Sequence, residues 1–229
     1  MEEKKKLCGY YDYTVVLTYL GLLAGFTGIM FVMEGKFRHA AICLMAAGIC
    51  DMFDGTVAAT KQRDRNEKRF GIQIDSLSDL ICFGALPALF TCKIGQNSYL
   101  AFGAGCLYIL CALIRLAYFN VLEEERQDTK GGQRIWYLGL PVTSAALVIP
   151  AVYVFWNRYA WDARVLFSIL LILMAGAFIA PFKIKKPYFA GKIGIVFTGV
   201  VEFVILLLGL GLELSGRGDG DGAGGSGEF

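Results

Sequence analysis

Seven stretches of this chain, near 13–33, 37–60, 70–92, 98–122, 136–155, 163–182 and 188–212, are apolar over the length of a membrane span, which takes about 20 residues. In lipid every backbone N–H and C=O must be paired within the protein, so such runs fold as helices. The expected fold class is therefore all-α, a polytopic transmembrane helix bundle of about 6–8 spans, with seven as the working count. Composition agrees. Of 229 residues 56% are hydrophobic and 18% charged, with a mean hydropathy of +0.54, against ~25% charged in soluble domains. Residues 1–212 are read as one membrane-embedded domain. Residues 213–229 are read as a disordered Gly-rich tail whose Gly-Ser-Gly-Glu-Phe ending resembles a cloning linker.

The first apolar stretch follows Lys4, Lys5 and Lys6 and is of spanning length, so it is expected to be a retained anchor. Fifteen of the 22 Lys and Arg residues fall in the segments that alternate on one side of this arrangement: residues 4–6, 61–69, 123–135 and 183–192. The positive-inside rule turns that side to the cytoplasm. The formal net charge of +2 points to no nucleic-acid partner. Seven cysteines form no C-x-x-C pair and lie mostly in apolar stretches, where Cys packs as a small hydrophobe. The one histidine, His39, is expected in a short polar loop, which leaves carboxylates as the acid-base groups within the membrane.

Acid inside apolar helices is the chemically informative feature. Asp51 and Asp54 lie in the second stretch, Asp75 and Asp79 in the third. At about 100° per residue, Asp51, Asp54, Gly55 and Ala58 share one helix face, and Gly71, Asp75, Ser78 and Asp79 share another. With a ~1.5 Å rise and a connecting loop over 61–69, Asp54 and Asp75 are expected about 8–9 Å from the loop side, and Asp51 and Asp79 about 14 Å. An unpaired acid at mid-bilayer costs ~2.5–3.5 kcal/mol, so something must compensate four. An all-oxygen cluster suits a hard divalent cation, Mg²⁺, Mn²⁺ or Ca²⁺. The alternative is a set of water-exposed or protonated acids at a helix end.

The stretch D51-x-x-D54-G55-x-x-A58 followed by G71-x-x-x-D75-x-x-x-D79 resembles the CDP-alcohol phosphotransferase motif D-x-x-D-G-x-x-A-R…G-x-x-x-D-x-x-x-D. The resemblance implies that Asp51, Asp54 and Asp75 bind divalent metal. It further implies that Asp79 joins them and is the catalytic base on an acceptor hydroxyl, and that Gly55, Ala58 and Gly71 shape the nucleotide site. Two departures stand out. Position 59 is Ala where the motif has Arg, and eleven residues separate it from Gly71 where eight are common. Lys61, Arg63 and Arg115 are the candidate replacements at the diphosphate. Arg115 has a second reading, as a snorkelling or helix-packing residue.

Further stretches, D75-S-L-S-D-L-I-C-F-G-A-L-P87, R115-L-A-Y-F-N120, G139-L-P-V-T143 and P181-F-K-I-K-K-P187, are similar to the phosphatidylserine synthase branch of that family. They nominate Arg115, Ser78, Asn120 and Lys183 for contact with acceptor or phosphate; Lys183, Lys185 and Lys186 serve equally as a positive-inside anchor. The resemblance implies transfer of the phosphatidyl group of CDP-diacylglycerol to the hydroxyl of L-serine, giving phosphatidylserine and CMP. It also implies a homodimer; the Lys and Arg distribution opens the site to the cytoplasm, and a prokaryotic plasma membrane is the expected location. Glycerol 3-phosphate or inositol phosphate is the alternative acceptor, and a phosphorylated acceptor calls for an additional basic cluster. A cation transporter is a reading of another class, disfavoured because no matching acidic set lies near the opposite surface.

Overall fold

The computed structural model describes residues 9–11, 13–128, 136–159, 161–185 and 198–209. Among them are seven helices: α1 (Val16–Met33), entered through a 3-10 turn at Tyr13–Val15, α2 (Phe37–Ala58), α3 (Arg65–Ile94), α4 (Tyr99–Asp128), α5 (Ala145–Tyr159), α6 (Ala163–Ile179) and α7 (Thr198–Gly209). Four stretches, Tyr13–Met33, Phe37–Ala58, Arg65–Ile94 and Tyr99–Glu125, are long and apolar enough to cross a bilayer. The all-α membrane bundle is thus the observed architecture. It carries one small addition, an antiparallel ribbon of β1 (Trp136–Leu138) and β2 (Lys183–Lys185), with Trp136 opposite Lys185 and Leu138 opposite Lys183.

Three boundaries differ from the sequence expectation. The third helix starts at Arg65, five residues before the apolar run, because Asp64 and Glu67 form a capping box. Asp64 Oδ1 accepts from the Glu67 N–H at 2.7 Å, and Glu67 Oε2 accepts from the Asp64 N–H at 3.3 Å. Such a box satisfies two orphan donors and lets a polar turn extend the helix beyond its apolar part. The fifth helix starts at Ala145 and not at 136, since the intervening chain is used for β1 and for a turn at Gly139 with φ +65°. Of the seventh stretch, residues 198–209 are helical, while 188–197, Lys186, Lys192 and the tail from 213 lie outside the described residues. His39 is in the first turn of α2, against the Phe31 ring at 5.1 Å, and so at the end of α2 remote from Asp54.

Where lipid surrounds a bundle, close van der Waals packing replaces the hydrophobic drive between helices, and small residues permit it. The buried stripe Thr18, Gly21, Gly25, Gly28 and Val32 of α1 does this. A Cβ on Gly21 would stand 3.3 Å from Cys50 Cβ of α2; one on Gly25 would overlap Cys82 of α3, 3.2 Å from its Cα; one on Gly28 would be 2.8 Å from Leu86 Cδ2. The α1 backbone is therefore wedged between α2 and α3. The cysteines at these contacts are unpaired, as the packing role requires.

The carboxyl end of α6 joins the other half of the bundle. Its last carbonyls lack helical partners, and three chain segments supply them. Ala177 O accepts from the Leu140 N–H at 3.0 Å, Phe178 O accepts from Arg115 Nη1 at 3.2 Å, and Gly176 O accepts from the Ala180 N–H at 3.0 Å. Arg115 is 7% exposed, and its guanidinium also lies 4.4 Å from the centre of the Phe119 ring. A Cβ on Gly139 would press within 3.0 Å of both Phe178 O and Arg115 Nη1, so glycine is needed there for space as well as for φ. At the other end of α6, Asp162 Oδ1 accepts from the Arg164 N–H at 2.9 Å. The Arg164 side chain holds that carboxyl below its ordinary range.

A buried hydrogen bond to a charged group contributes ~1.5–3 kcal/mol, and this one also places a cation at a helix carboxyl end. Arg115→Leu should therefore lower the thermal unfolding midpoint in detergent by several degrees, with Arg115→Lys recovering part of the loss. An unchanged midpoint in Arg115→Leu would show that the clamp contributes nothing.

Candidate active site

The loop between α2 and α3 is short, residues 59–64, and the two helices return antiparallel beside α1. Asp54 precedes the end of α2 by about one turn, whereas Asp75 follows the start of α3 by nearly three. The amino-terminal turns of α3 therefore project beyond α2, and this offset, rather than equal counts from a shared loop, brings the acids level. One carboxylate oxygen each from Asp51, Asp54 and Asp75 lies within 4.8 Å of the others. The Asp54 and Asp75 carboxyls stand beside one another, and Asp79, deeper in the bundle, stands beside Asp51. All four side chains are partly buried.

Ionised carboxyls this close repel one another, and a cation between them offsets the repulsion. Oxygens within 4.8 Å of each other can all reach one hard ion at the ~2.0–2.6 Å distances of Mg²⁺ or Ca²⁺. The donor set, oxygen only, fits such an ion. Asp51, Asp54 and Asp75 are the residues that would hold it. Asp79 stands one turn deeper on α3, within reach of Asp51.

The surroundings differ from one side of the cluster to the other. A Cβ built on Gly55 meets nothing within 4 Å, so a ligand can approach the α2 backbone there. Ala58 is the last residue of α2, and Ala59 follows it, exposed. Gly71 is the opposite case: a Cβ on it would stand 2.8 Å from Arg63 Nη1. The Arg63 guanidinium thus rests on the bare Cα of Gly71, one turn outward from Asp75, with its Nε buried and without a hydrogen-bond partner. Lys61 Nζ lies 3.7 Å from Glu67 Oε1 at the start of α3.

The other nominated residues are placed elsewhere. Ser78 is buried against α1, its Oγ donating to Thr18 O at 3.4 Å. Asn120 Oδ1 accepts from Ser76 Oγ at 2.7 Å in a cavity of about 330 Å³ between α3 and α4. Arg115 is engaged at the α6 end. Lys183 is in β2, and its side chain lies outside the described residues. Two α1-side groups were not nominated by sequence. Thr18 Oγ1 donates to Asp54 Oδ2 at 3.4 Å, and Tyr13 Oη lies 3.1 Å from Thr60 Oγ1. Thr18 was discoverable, because it continues the helical spacing of Gly21, Gly25 and Gly28 on one face. Tyr13 carried no such signal.

A family model described as CDP-alcohol phosphatidyltransferase matches residues 14–180, which include all four aspartates. Among similar proteins, archaetidylserine synthase of Methanothermobacter thermautotrophicus is 32% identical over 154 residues, 67% of this chain and 62% of that protein. The CDP-diacylglycerol–serine O-phosphatidyltransferase of Saccharomyces cerevisiae is 33% identical over 147 residues, covering 59% and 52% of the two chains. The Mycobacterium leprae protein of the same name is 32% identical over 134 residues, 58% and 43%. The aligned region therefore spans between 43% and 62% of the length of these relatives.

Removal of one carboxylate leaves two for a divalent ion. Asp51→Asn, Asp54→Asn and Asp75→Asn should each weaken Mn²⁺ binding by at least tenfold, read by electron paramagnetic resonance, with membrane insertion unchanged. Retention of wild-type Mn²⁺ affinity in all three would exclude the cluster as a cation site.

Proposed function

The chain belongs to the CDP-alcohol phosphatidyltransferase family, and from that premise we propose that it transfers the phosphatidyl group of CDP-diacylglycerol to the hydroxyl of L-serine. The observation that carries the reading is the meeting of three carboxylate oxygens with a fourth acid one turn deeper. The names of the curated relatives support serine as acceptor. Asp51, Asp54 and Asp75 would hold a divalent ion, Mg²⁺ or Mn²⁺, which would supply charge neutralisation at the diphosphate.

The remaining chemistry is assigned to this chain's own groups. An alcohol is a poor nucleophile until its proton is removed, and a carboxylate is the base at hand. Asp79 takes the serine hydroxyl proton; the serine oxygen forms a bond to the lipid-side phosphorus; the bond from that phosphorus to the CMP oxygen breaks, and CMP leaves. Gly55, with open space over its Cα, and Ala58 give the nucleotide room against α2. The donor keeps its acyl chains in lipid while its nucleotide enters from water, so the site opens toward the 59–64 loop, which the lysine and arginine distribution assigns to the cytoplasm. A homodimer is proposed by family resemblance.

Arg63 is proposed to serve in place of the arginine that is absent at position 59. Counted back from Gly71, it stands within one residue of where the motif spacing would put that arginine, so the longer loop moves the cation along the sequence while its place beside α3 is kept. Gly71 then acts chiefly as a seat for the guanidinium. Lys61 is the second cation at the loop.

Two outcomes test this function. Purified protein supplied with CDP-diacylglycerol and a divalent ion should release CMP when given serine and not when given glycerol 3-phosphate or inositol phosphate. Asp79→Asn should keep donor binding and lose at least a hundredfold in turnover. Normal turnover in Asp79→Asn sinks the base assignment; stimulation by another alcohol alone sinks the acceptor. A charge-assisted contact contributes ~1.5–3 kcal/mol, so Arg63→Ala should weaken donor binding by about 10- to 100-fold. Ala59→Arg in the Arg63→Ala background should restore much of it, and failure of any loss in Arg63→Ala would remove Arg63 from the diphosphate site.

A further inference from the structure

α3 is not uniform. Residues Arg65–Asp79 are α-helical, Leu80–Ala85 form a widened π stretch, and Leu86–Ile94 return to α geometry. The stretch begins immediately after Asp79, and the Leu86 N–H bonds Ile81 O, five residues back. A widened turn absorbs one extra residue, which rotates the inner half of the helix by about 100° relative to a regular one. That rotation lets the outer half turn Asp75 and Asp79 toward α2 while the inner half buries Leu86, Phe90 and Ile94 in the core. If α3 relaxed to regular α geometry, one of the two faces would be lost.

The cause of the widening is close by. Pro87 has no N–H, and its ring crowds the carbonyl four residues earlier, that of Phe83. In a regular α turn that carbonyl would accept from residue 87. Here it accepts from Tyr108 Oη of α4 at 2.7 Å. Tyr108 is fully buried, packed on the Phe178 ring at 5.2 Å, so the hydroxyl is out of reach of solvent. α4 also bears on the same stretch one residue away: a Cβ on Gly84 would be 3.6 Å from Ile109 Cγ1 and 3.8 Å from Ala112 Cβ.

We propose that Tyr108 is a positioning residue for the reaction: its hydroxyl replaces the proton donor that Pro87 lacks, holds the widened turn of α3, and thereby keeps Asp79 directed at Asp51. The inference rests on the base role given to Asp79 above. Phenylalanine would fill the same volume, so the hydroxyl is the part of the side chain with this task.

Tyr108→Phe tests it through two readouts. In its structure, determined by cryo-electron microscopy in lipid nanodiscs, the widened turn at Leu80–Ala85 should relax and the Asp79 carboxyl should turn away from Asp51; an unchanged turn with Asp79 still beside Asp51 overturns the proposal whatever the activity. In turnover with CDP-diacylglycerol and serine, kcat should fall at least tenfold with the donor KM within about twofold of wild type. Phe90→Leu, a core substitution remote from the hydroxyl, should lower the unfolding midpoint at least as much yet keep kcat. 4-Aminophenylalanine in place of Tyr108, which restores a donor, should recover turnover. Wild-type kcat in Tyr108→Phe, or equal losses in Tyr108→Phe and Phe90→Leu, overturns the positioning role. Should wild type itself release no CMP with serine, the proposed function fails, and the structural readout still decides the fate of Tyr108.

Discussion

Four carboxylates inside a helix bundle set the terms for the structure around them. A charge within apolar surroundings must be compensated nearby, and acids that crowd together repel rather than compensate one another, so the cluster calls for a cation, with the Thr18 hydroxyl donating to Asp54 at its edge. Acids that close require the acidic faces of α2 and α3 to meet at one relative height beside α1. The glycine edge of α1 lets both helices pack closely on its backbone, Cys50 of α2 at Gly21 and Cys82 of α3 at Gly25. The capping box at Asp64 and Glu67 provides the height, because it starts α3 well outside the end of α2.

The second half of the bundle answers to the same rule about unpaired polar groups in a dry interior. The carbonyls at the end of α6 are satisfied by Arg115, Leu140 and Ala180, drawn from α4, from the turn after β1 and from α6's own continuation. The Phe83 carbonyl, left without a helical donor by Pro87, is satisfied by Tyr108. The Arg115 and Tyr108 bonds are long-range contacts made because a local one is impossible. Both originate on α4, and Tyr108 and Arg115 are two turns apart on that helix. α4 thus couples the helix that carries Asp75 and Asp79 to the helix that closes the bundle.

Much of the site was legible in the sequence because helical periodicity is strict. Spacings of three and four put Asp51 with Asp54 and Asp75 with Asp79, and apolar length alone marked out the first four helices. Where legibility ended, the reason was local chemistry that competes with hydropathy. Asp64 and Glu67 are polar, so the apolar run concealed the first turn of α3. Gly139 and Pro141 interrupt a stretch that is apolar enough to be read as helix, and β1 forms there instead. Ser78 shares the acid face by angle, yet its hydroxyl is turned to the α1 backbone.

The sequence by itself determined the membrane-bundle class, the two acidic faces and the likeness to an enzyme family, since all three depend only on residue type and spacing along single helices. Which of the acids stand beside one another, how far α3 projects past α2, and where the Arg63, Arg115 and Tyr108 side chains come to rest were decided by tertiary structure. These depend on distances between segments remote in sequence. No periodicity records that a guanidinium rests on Gly71, or that a tyrosine of α4 reaches a carbonyl of α3, because such contacts are settled by which buried polar groups remain unpaired once the helices have packed.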